Sequence, residues 1–172
     1  MKSLSKNPLL IGLVVGLILT VWDGFNYFII YKTPLAPFSP FVGLLLLVVG
    51  IFLGIKMLKN DKFEGAITFS QATFSGILIS ISAGLVLAIS TFCYYRYLNY
   101  DFQTFYLEAA EKSMVGKKLK PEAISNTLQQ IKVSLKPENQ LQAAIFGTLL
   151  MGLVASSISA FILRNKENRI VD

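Results

Sequence analysis

The chain has 172 residues, of which 53% are hydrophobic and 15% are charged, and its formal net charge is +6. Soluble proteins carry about 25% charged residues, and this chain has none in 33–55, 65–95 or 139–163. An uncharged apolar run of about 20 residues matches the roughly 30 Å hydrocarbon core of a bilayer. The composition excludes an ordinary soluble domain and predicts an all-α membrane protein with one membrane domain, residues 1–172.

The first predicted membrane span covers residues 8–31. Pro8 suits the first turn of a helix, because the N–H that proline lacks would have no partner there. Lys2 and Lys6 precede this span, as basic residues precede the apolar region of a secretory signal. The apolar run is too long for a signal and no small-residue cleavage site follows it, so we predict an uncleaved span.

Two more spans are predicted before the longest polar segment. The second covers residues 40–58, with Ser39 as its N-cap and Pro40 as its first helical residue. The third covers residues 69–95. The sequence Thr68–Gln71 has the capping-box pattern at its start, in which a threonine and a glutamine three residues later satisfy each other's backbone N–H groups.

The polar segment 96–140 is predicted to form two short helices. Asp101 is expected to cap the first and Gly116 to end it, whereas Pro121 is expected to open the second and Pro137 to close it. Each helix has one apolar stripe at helical spacing. The stripes consist of Phe102, Phe105, Tyr106, Ala109 and Met114, and of Ile124, Leu128, Ile131 and Leu135. About 45 residues rarely bury a core alone, so both helices are predicted to lie on the membrane surface or on the bundle.

A fourth span, residues 141–163, places both termini and the 59–68 connection on one side of the membrane. The 16 lysines and arginines divide equally between the two sides. Seven of the eight on the side of the termini lie close to a span end, against three of the others. The positive-inside rule therefore predicts cytoplasmic termini, an extracytoplasmic 96–140 loop and a location in the inner (plasma) membrane.

All seven tyrosines lie at or beyond the predicted outer ends of the first and third spans. They are Tyr27, Tyr31, Tyr94, Tyr95, Tyr97, Tyr100 and Tyr106. Amphipathic rings favour the level of the lipid headgroups, so this distribution predicts an interfacial aromatic belt.

Asp23 is the most distinctive polar residue, because it lies inside the first predicted span. Intramembrane carboxylates usually face a partner or water. Asn26 follows one helical turn later, and Arg96 at the end of the third span is a candidate partner. One interpretation is a proton- or cation-binding site formed by these three residues. The other is a structural polar pair, or a carboxylate that is hydrated near the interface.

Small residues recur every four positions in the spans. The predicted helix-packing residues are Gly12, Gly16, Gly50, Gly54, Gly76, Ser80, Gly84, Ala88, Thr148, Gly152 and Ser156. Such stripes allow helix backbones to approach closely. They indicate either the contact face of a homo-oligomer or the packing of a single four-helix bundle.

Few residues suit catalysis or cofactor binding. The chain contains no histidine and a single cysteine, Cys93, and no group of Cys, Asp and Glu has metal-ligand spacing. No GxSxG, Walker or GxGxxG motif is present. We therefore predict no enzymatic activity, no cofactor and no metal.

The basic residues indicate what the protein binds. They flank apolar spans and do not line a polar face with interleaved aromatics. Anionic lipid headgroups are therefore the predicted partner, and nucleic acid is not. A second copy of the chain or another membrane protein is the remaining candidate partner.

Several short segments resemble a known family. They are Gly54-Ile55-Lys56, the stretch 65–72 with Gly76, Met114-Val115-Gly116 and Pro121-Glu122-Ala123-Ile124. In their order and in the layout of spans, the chain resembles the bacterial membrane proteins called domain of unknown function 4199. The resemblance implies the four-span architecture and no particular activity. A structural or accessory role through helix packing and the outer loop is expected, with a small transporter or channel subunit centred on Asp23 as the alternative.

Overall fold

The computed structural model describes residues 6–98 and 100–165, and this part of the chain contains helices and no strands. The helices are α1 (Pro8–Phe28), α2 (Ser39–Asp61), α3 (Phe69–Cys93), α4 (Tyr100–Gly116), α5 (Pro121–Ser134) and α6 (Pro137–Leu163). Two 3-10 turns, Ile30–Lys32 and Ala36–Phe38, join α1 to α2, and a π-helical turn, Tyr94–Leu98, extends α3. The predicted all-α fold is confirmed.

Four of the described helices are long and apolar enough to cross a membrane, as predicted. They contain α1, α2, α3 and α6. Their outward surfaces expose large apolar side chains, such as Phe146, Leu150 and Phe161 on α6, each about two-thirds accessible. Apolar surface on this scale is costly in water and normal in lipid. We conclude that these faces contact the acyl chains.

The first span ends at Phe28 and not at the predicted Tyr31. Thr33 has the extended conformation (φ −99°, ψ 161°). Proline disfavours helical geometry in the residue before it, so Pro34 forces this conformation. Pro34 therefore prevents a helix from continuing through Thr33, and the chain between Phe28 and Thr33 forms the 3-10 turn Ile30–Lys32.

Ser39 is not the N-cap of α2 as predicted. The 3-10 turn Ala36–Phe38 runs directly into the helix, so Phe38 already has near-helical dihedrals (φ −91°, ψ −15°) and Ser39 is the first helical residue. A side chain can cap only from an extended residue that precedes the helix. The Ser39 hydroxyl is buried and has no hydrogen-bond partner within the described residues. Its carbonyl accepts a hydrogen bond of 3.3 Å from Trp22 Nε1, which ties α1 to α2.

The start of α3 matches the prediction. Thr68 Oγ1 accepts a hydrogen bond from the Gln71 N–H at 3.3 Å, and Gln71 Oε1 accepts one from the Thr68 N–H at 3.1 Å. This capping box is confirmed. At the preceding turn, Gly65 has φ +86°, a conformation that glycine adopts without the penalty of a side chain.

Other helix ends in the second half of the chain differ from the predictions. Pro137 was predicted to close α5, but α5 ends at Ser134 and Pro137 opens α6. Proline lacks an N–H to donate, so it is favoured at a helix start. Asp101 was predicted as a cap but lies inside the first turn of α4. A carboxylate there still interacts favourably with the helix dipole.

Helix α3 occupies the centre of the bundle, where it packs mainly on α6 and α1, while α2 packs on α6, α1 and α3. Pairs along α1 and α3 advance together, from Gly12 beside Ile79 to Thr20 bonded to Ser90, so these helices are parallel. Gly50 meets Val15 and Gly54 meets Ile11, so α1 and α2 are antiparallel. Gly76 meets Ser156 and Gly84 meets Thr148, so α3 and α6 are also antiparallel and the four spans alternate in direction.

The bundle has two halves along its axis. The terminal half, at the end where α1 begins and α6 ends, comprises residues 8–16, 50–61, 69–84 and 148–163. The hairpin half, next to α4 and α5, comprises residues 17–28, 39–49, 85–98 and 137–147.

The core is concentrated in the terminal half. Ile51, Ile55, Leu58 and Ile79 have no accessible surface, and Ile67 has almost none. Each fully buried chain of this size contributes about 1.5–3 kcal/mol in soluble proteins. In a membrane the same residues act mainly through close van der Waals packing.

Hydrogen bonds hold the end of α6 at the terminal half. Lys59 Nζ donates to the Leu163 carbonyl at 2.8 Å. The Asn165 N–H donates to the Ile67 carbonyl at 3.1 Å, and the Ile67 N–H donates to Asn165 Oδ1 at 3.3 Å. The Lys59 bond satisfies a C-terminal carbonyl of the helix, which has no partner within the helix itself, and the two bonds between Asn165 and Ile67 fix the chain that follows.

Candidate functional site

Glycines and serines interlock where α3 packs on α6. Gly76 lies against Ser156, and Gly152 lies against Ser80. The serine hydroxyls donate to carbonyls of their own helices, from Ser80 to Gly76 at 2.8 Å and from Ser156 to Gly152 at 2.5 Å. A Cβ atom on either glycine would overlap the opposing serine side chain. Only glycine therefore fits at these two positions, and the hydroxyls of Ser80 and Ser156 are both hydrogen-bonded.

The other small residues of the predicted packing set also lie inside the bundle. A Cβ on Gly16 would come within 2.9 Å of the Ala83 carbonyl, and one on Gly54 within 2.8 Å of Ile11 and Ile79 side chains. Gly12 lies against the Ile79 carbonyl. The remaining members are Gly50 beside Val15, Gly84 beside Thr148, and the buried Ala88. These contacts occur within one chain and leave no free small-residue face at these positions.

Asp23 is half-buried in the hairpin half and borders two cavities. One, of about 240 Å³, lies between α1 and α3, and we call it the Asp23 groove. The other, of about 340 Å³, lies among α1, α2, α3 and α6 and is lined almost entirely by apolar side chains. No donor among the described residues bonds to the Asp23 carboxylate.

The structure does not assemble the predicted group of Asp23, Asn26 and Arg96. Arg96 is exposed and makes no ion pair within the described residues. The π-helical turn buries Tyr94 and Tyr95 against the bundle, and the residues that follow them therefore face outward. Asn26 is half-buried and lines neither cavity beside Asp23. A charge inside a span is costly, up to about 2.5–3.5 kcal/mol at its centre on insertion scales, and no partner among the described residues offsets the cost at Asp23.

Aromatic rings from α1, α4 and the turns that directly follow α1 and α3 form a cluster beside Asp23, which we call the aromatic cluster. Its members are Tyr27, Tyr31, Tyr94, Tyr95, Phe102 and Phe105. Tyr27 and Tyr94 stack with centroids 4.0 Å apart, and Phe102 meets Tyr27 edge-on at 5.4 Å. Such pairs contribute about 0.5–1.5 kcal/mol each beyond burial. The cluster therefore attaches α4 to the ends of two spans.

The cluster changes the interpretation of the tyrosines. Tyr94 and Tyr95 are buried, so they do not face lipid headgroups as the predicted belt requires. Tyr97 is 72% exposed and remains free to do so. Phe102 and Phe105, on the apolar stripe of α4, supply the rings that cover the span ends. Tyrosines near a span end and an aromatic stripe in the next helix were the signals for this packing.

A third cavity, of about 740 Å³, lies between α5 and α6 and was not predicted. We call it the amide groove. Its lining is Asn126, Gln129, Gln130, Val133, Ser134, Asn139, Gln142, Ala143 and Phe146, with no charged residue. Asn139 Nδ2 donates to the Val133 carbonyl at 2.7 Å and fixes the angle of the two helices. Amide side chains three or four residues apart before Pro137, and three residues apart after it, were the signal for this groove in the sequence.

The geometry offers no metal centre in the described residues, because no group of three or more Cys, Asp and Glu side chains comes together. Four apolar spans with lipid-facing surfaces define a multi-pass α-helical membrane protein. The family described as "Protein of unknown function (DUF4199)" matches residues 10–165, and the chain belongs to this family. The predicted resemblance is thereby confirmed. No curated protein and no solved structure shows a significant match to the chain.

Proposed function

We propose that this protein is a non-enzymatic accessory membrane protein. Its spans form a rigid anchor, and its α4–α5 segment and amide groove bind a partner at the extracytoplasmic surface of the inner (plasma) membrane. The observation that carries this proposal is the attachment of α4 to α1 and α3 by the aromatic cluster, while the amide groove beside α5 stays uncovered.

The anchor follows from the packing of the terminal half. Gly76 and Gly152 place two spans at close distance, and fully buried isoleucines fill the space between the remaining helices. A closely packed interior does not deform continuously, because any shift of one helix requires its neighbours to repack. A rigid bundle holds the segments attached to it in a constant orientation.

The amide groove has the chemistry of a recognition surface. Each Asn or Gln side chain both donates and accepts hydrogen bonds, so Gln129, Gln130 and Gln142 match the N–H and C=O groups of a polypeptide. The groove is uncharged although the whole chain carries a net charge of +6. A segment of another membrane protein, or of a second copy of this one, is the partner that this lining fits.

A site-specific crosslinking experiment tests the partner site. A photoreactive residue at Gln130 in native membranes should give one discrete crosslinked product, and the same residue at Ala123, exposed on α5 outside the groove, should give none. Replacing Gln129 and Gln142 with alanine should remove the product. Equal crosslinking at both positions, or a product that survives these substitutions, would contradict a specific site.

The proposed orientation rests on the density of lysine and arginine near span ends. A reporter that is active only outside the cytoplasm should work when fused after Lys118 and be silent when fused after Arg169. The opposite pattern would place the amide groove in the cytoplasm.

A second candidate, a small transporter or channel subunit that uses Asp23 as a proton or cation site, has one observation in its favour. The Asp23 carboxylate borders two cavities and lacks a partner among the described residues. Both cavities lie mostly in the hairpin half, and Ile51, Ile55 and Ile79 fill the terminal half. A transported ion would therefore require that packing to open.

Liposome flux distinguishes the two candidates. We expect liposomes that contain the intact protein to remain tight to protons, sodium and potassium. A gradient-dependent flux that Asp23→Asn abolishes, in a variant that still folds, would instead establish the transport function.

A further inference from the structure

The Asp23 groove combines one carboxylate, hydroxyl groups and aromatic rings in a mainly apolar wall. Its lining is Thr20, Asp23, Gly24, Tyr27, Phe28, Ser90, Thr91, Cys93, Tyr94 and Leu98. Concave, mostly apolar sites with a few convergent polar groups are typical of small-molecule binding. Among the described residues of this lining the carboxylate is the only charged group, so a ligand of opposite charge would be complementary to it.

We propose that the Asp23 groove binds a protonated amine that carries an apolar tail, with its ammonium group against the Asp23 carboxylate. The ammonium group could belong to an aminolipid or to a free amphipathic amine, because both present the same charge and the same hydrogen-bond donors. The site shares Asp23 with the second candidate function, but it requires binding only and no movement of an ion across the membrane.

The lining favours an ammonium ion over a metal ion. Calcium takes six to eight oxygen ligands, and magnesium requires near-octahedral geometry. The groove offers one carboxylate, and two of its hydroxyls are already engaged: Thr20 Oγ1 and Ser90 Oγ are 3.0 Å apart, and Ser90 Oγ donates to the Leu87 carbonyl at 2.8 Å. An ammonium group has three N–H donors and needs fewer acceptors than either metal ion.

The mouth of the groove favours a ligand with an apolar tail. Phe28 and Leu98 line it and are 59% and 62% exposed, and Cys93 is also exposed. These side chains lie on the lipid-facing surface, so the groove opens sideways between α1 and α3. A tail that leaves through this opening enters the acyl chains.

The depth of Asp23 fits the same ligand. Asp23 lies five residues before Phe28, the last residue of α1, which is about 7.5 Å along the axis at 1.5 Å per residue. The carboxylate is therefore close to the boundary between headgroups and acyl chains. An amphipathic amine places its charge at that boundary while its tail stays among the acyl chains, out of water.

The site can be tested with the full-length protein in nanodiscs of phosphatidylglycerol, which lack any amine. The chain contains a single tryptophan, Trp22, next to Asp23, and it reports on the groove by fluorescence. A long-chain amine with a spin label near its nitrogen should quench Trp22 saturably. Asp23→Asn should weaken this binding at least tenfold, while Asp61→Asn, at the far end of α2, should not change it.

Two control measurements, one with an uncharged ligand and one with a blocked groove, complete the experiment. A spin-labelled alcohol of the same chain length should show no saturable quenching, because it lacks the charge. Gly24→Leu should block amine binding with Asp23 intact, since no atom lies within 4 Å of an added Cβ and the new side chain occupies the groove. Equal quenching by amine and alcohol, or by intact and Asp23→Asn protein, would overturn the proposal.

Competition identifies the source of the ammonium group. Displacement of the labelled amine when phosphatidylethanolamine is added to the nanodiscs would identify an aminolipid, and no displacement would identify a free amine. Failure of amine binding would leave the flux measurement and the crosslinking at Gln130 unaffected, so the three proposals fail separately.

Discussion

The two halves of the bundle are built from the same four helices and use glycine in opposite ways. The terminal half contains seven of the bundle's glycines, and each has a neighbouring atom within 3.3 Å of the position that a Cβ would take. Gly24 and Gly147, in the hairpin half, have no atom within 4 Å of that position, and Gly43 has only the Trp22 ring at 3.5 Å. Glycine provides contact in one half and empty space in the other.

This difference separates a tightly packed part of the bundle from a part that contains cavities. Close contact of backbones in the terminal half holds the bundle together. The hairpin half contains the Asp23 carboxylate, which has no partner among the described residues, and the cavities around it. We therefore expect substitutions to affect stability in the terminal half and ligand binding in the hairpin half.

The largest effect is expected from Gly152→Leu. The new side chain would overlap Ser80 and separate α6 from α3, and overpacking of this kind costs about 1–3 kcal/mol or more of unfolding free energy. Gly147→Leu on the same helix should cost little. Thermal unfolding in detergent measures both. Similar losses at the two positions would remove the distinction between the halves.

Gly84→Ala tests the packing of α3 on α6 with a smaller substitution, and an intermediate loss of stability is expected. An added Cβ would lie 3.3 Å from Thr148, which is tight but does not overlap it. Gly84→Ala should therefore destabilise the protein less than Gly152→Ala and more than Gly147→Ala, as measured by the same unfolding transition. Any other order would show that the spacing of α3 and α6 differs from that described above.

The next largest effect is expected from Phe102→Ala, and it should be local. Removal of this ring takes away the contact of α4 with Tyr27, Tyr94 and Tyr95, at a cost below the roughly 3–5 kcal/mol of a fully buried ring. Hydrogen exchange in α4 should accelerate while α3 and α6 stay protected. Val115→Ala, at an exposed position of α4, is the matched control. Uniform acceleration would indicate that the aromatic cluster supports the whole bundle.

A smaller effect is expected from Lys59→Met, which removes the hydrogen bond to the Leu163 carbonyl. A single hydrogen bond contributes about 0.5–1.5 kcal/mol, and the side chain is half-buried. The last turn of α6 should exchange its amide hydrogens faster. Lys56→Met, at an exposed position of α2, should leave that exchange unchanged.

The smallest effect on stability is expected from Asp23→Asn. No hydrogen bond or ion pair within the described residues is lost, and the amide keeps the volume and polarity of the side chain. The unfolding temperature in detergent should stay the same or rise. A clear fall would reveal a structural role for the carboxylate and would weaken the ligand-binding proposal.

The amino-acid sequence by itself determined the class of the protein and the number and approximate positions of its membrane spans. Long uncharged runs such as 65–95 have one stable form in lipid, because a helix satisfies all of its backbone hydrogen bonds locally. The capping box of Thr68 and the helix starts at Pro8 and Pro121 are also local, so they were predictable. The family resemblance followed from the same layout.

Tertiary structure alone decided which residues meet. The spacing of Gly76, Gly84 and Gly152 was evident in the sequence, but a stripe of small residues contacts a second copy or a neighbouring span equally well. Ser39 does not cap α2, because the preceding 3-10 turn continues directly into the helix. Arg96 does not approach Asp23, because the π-helical turn Tyr94–Leu98 directs the tyrosines inward and the arginine outward. The cavities beside Asp23 and between α5 and α6 depend on where helices diverge, and helix divergence has no signal in any one segment.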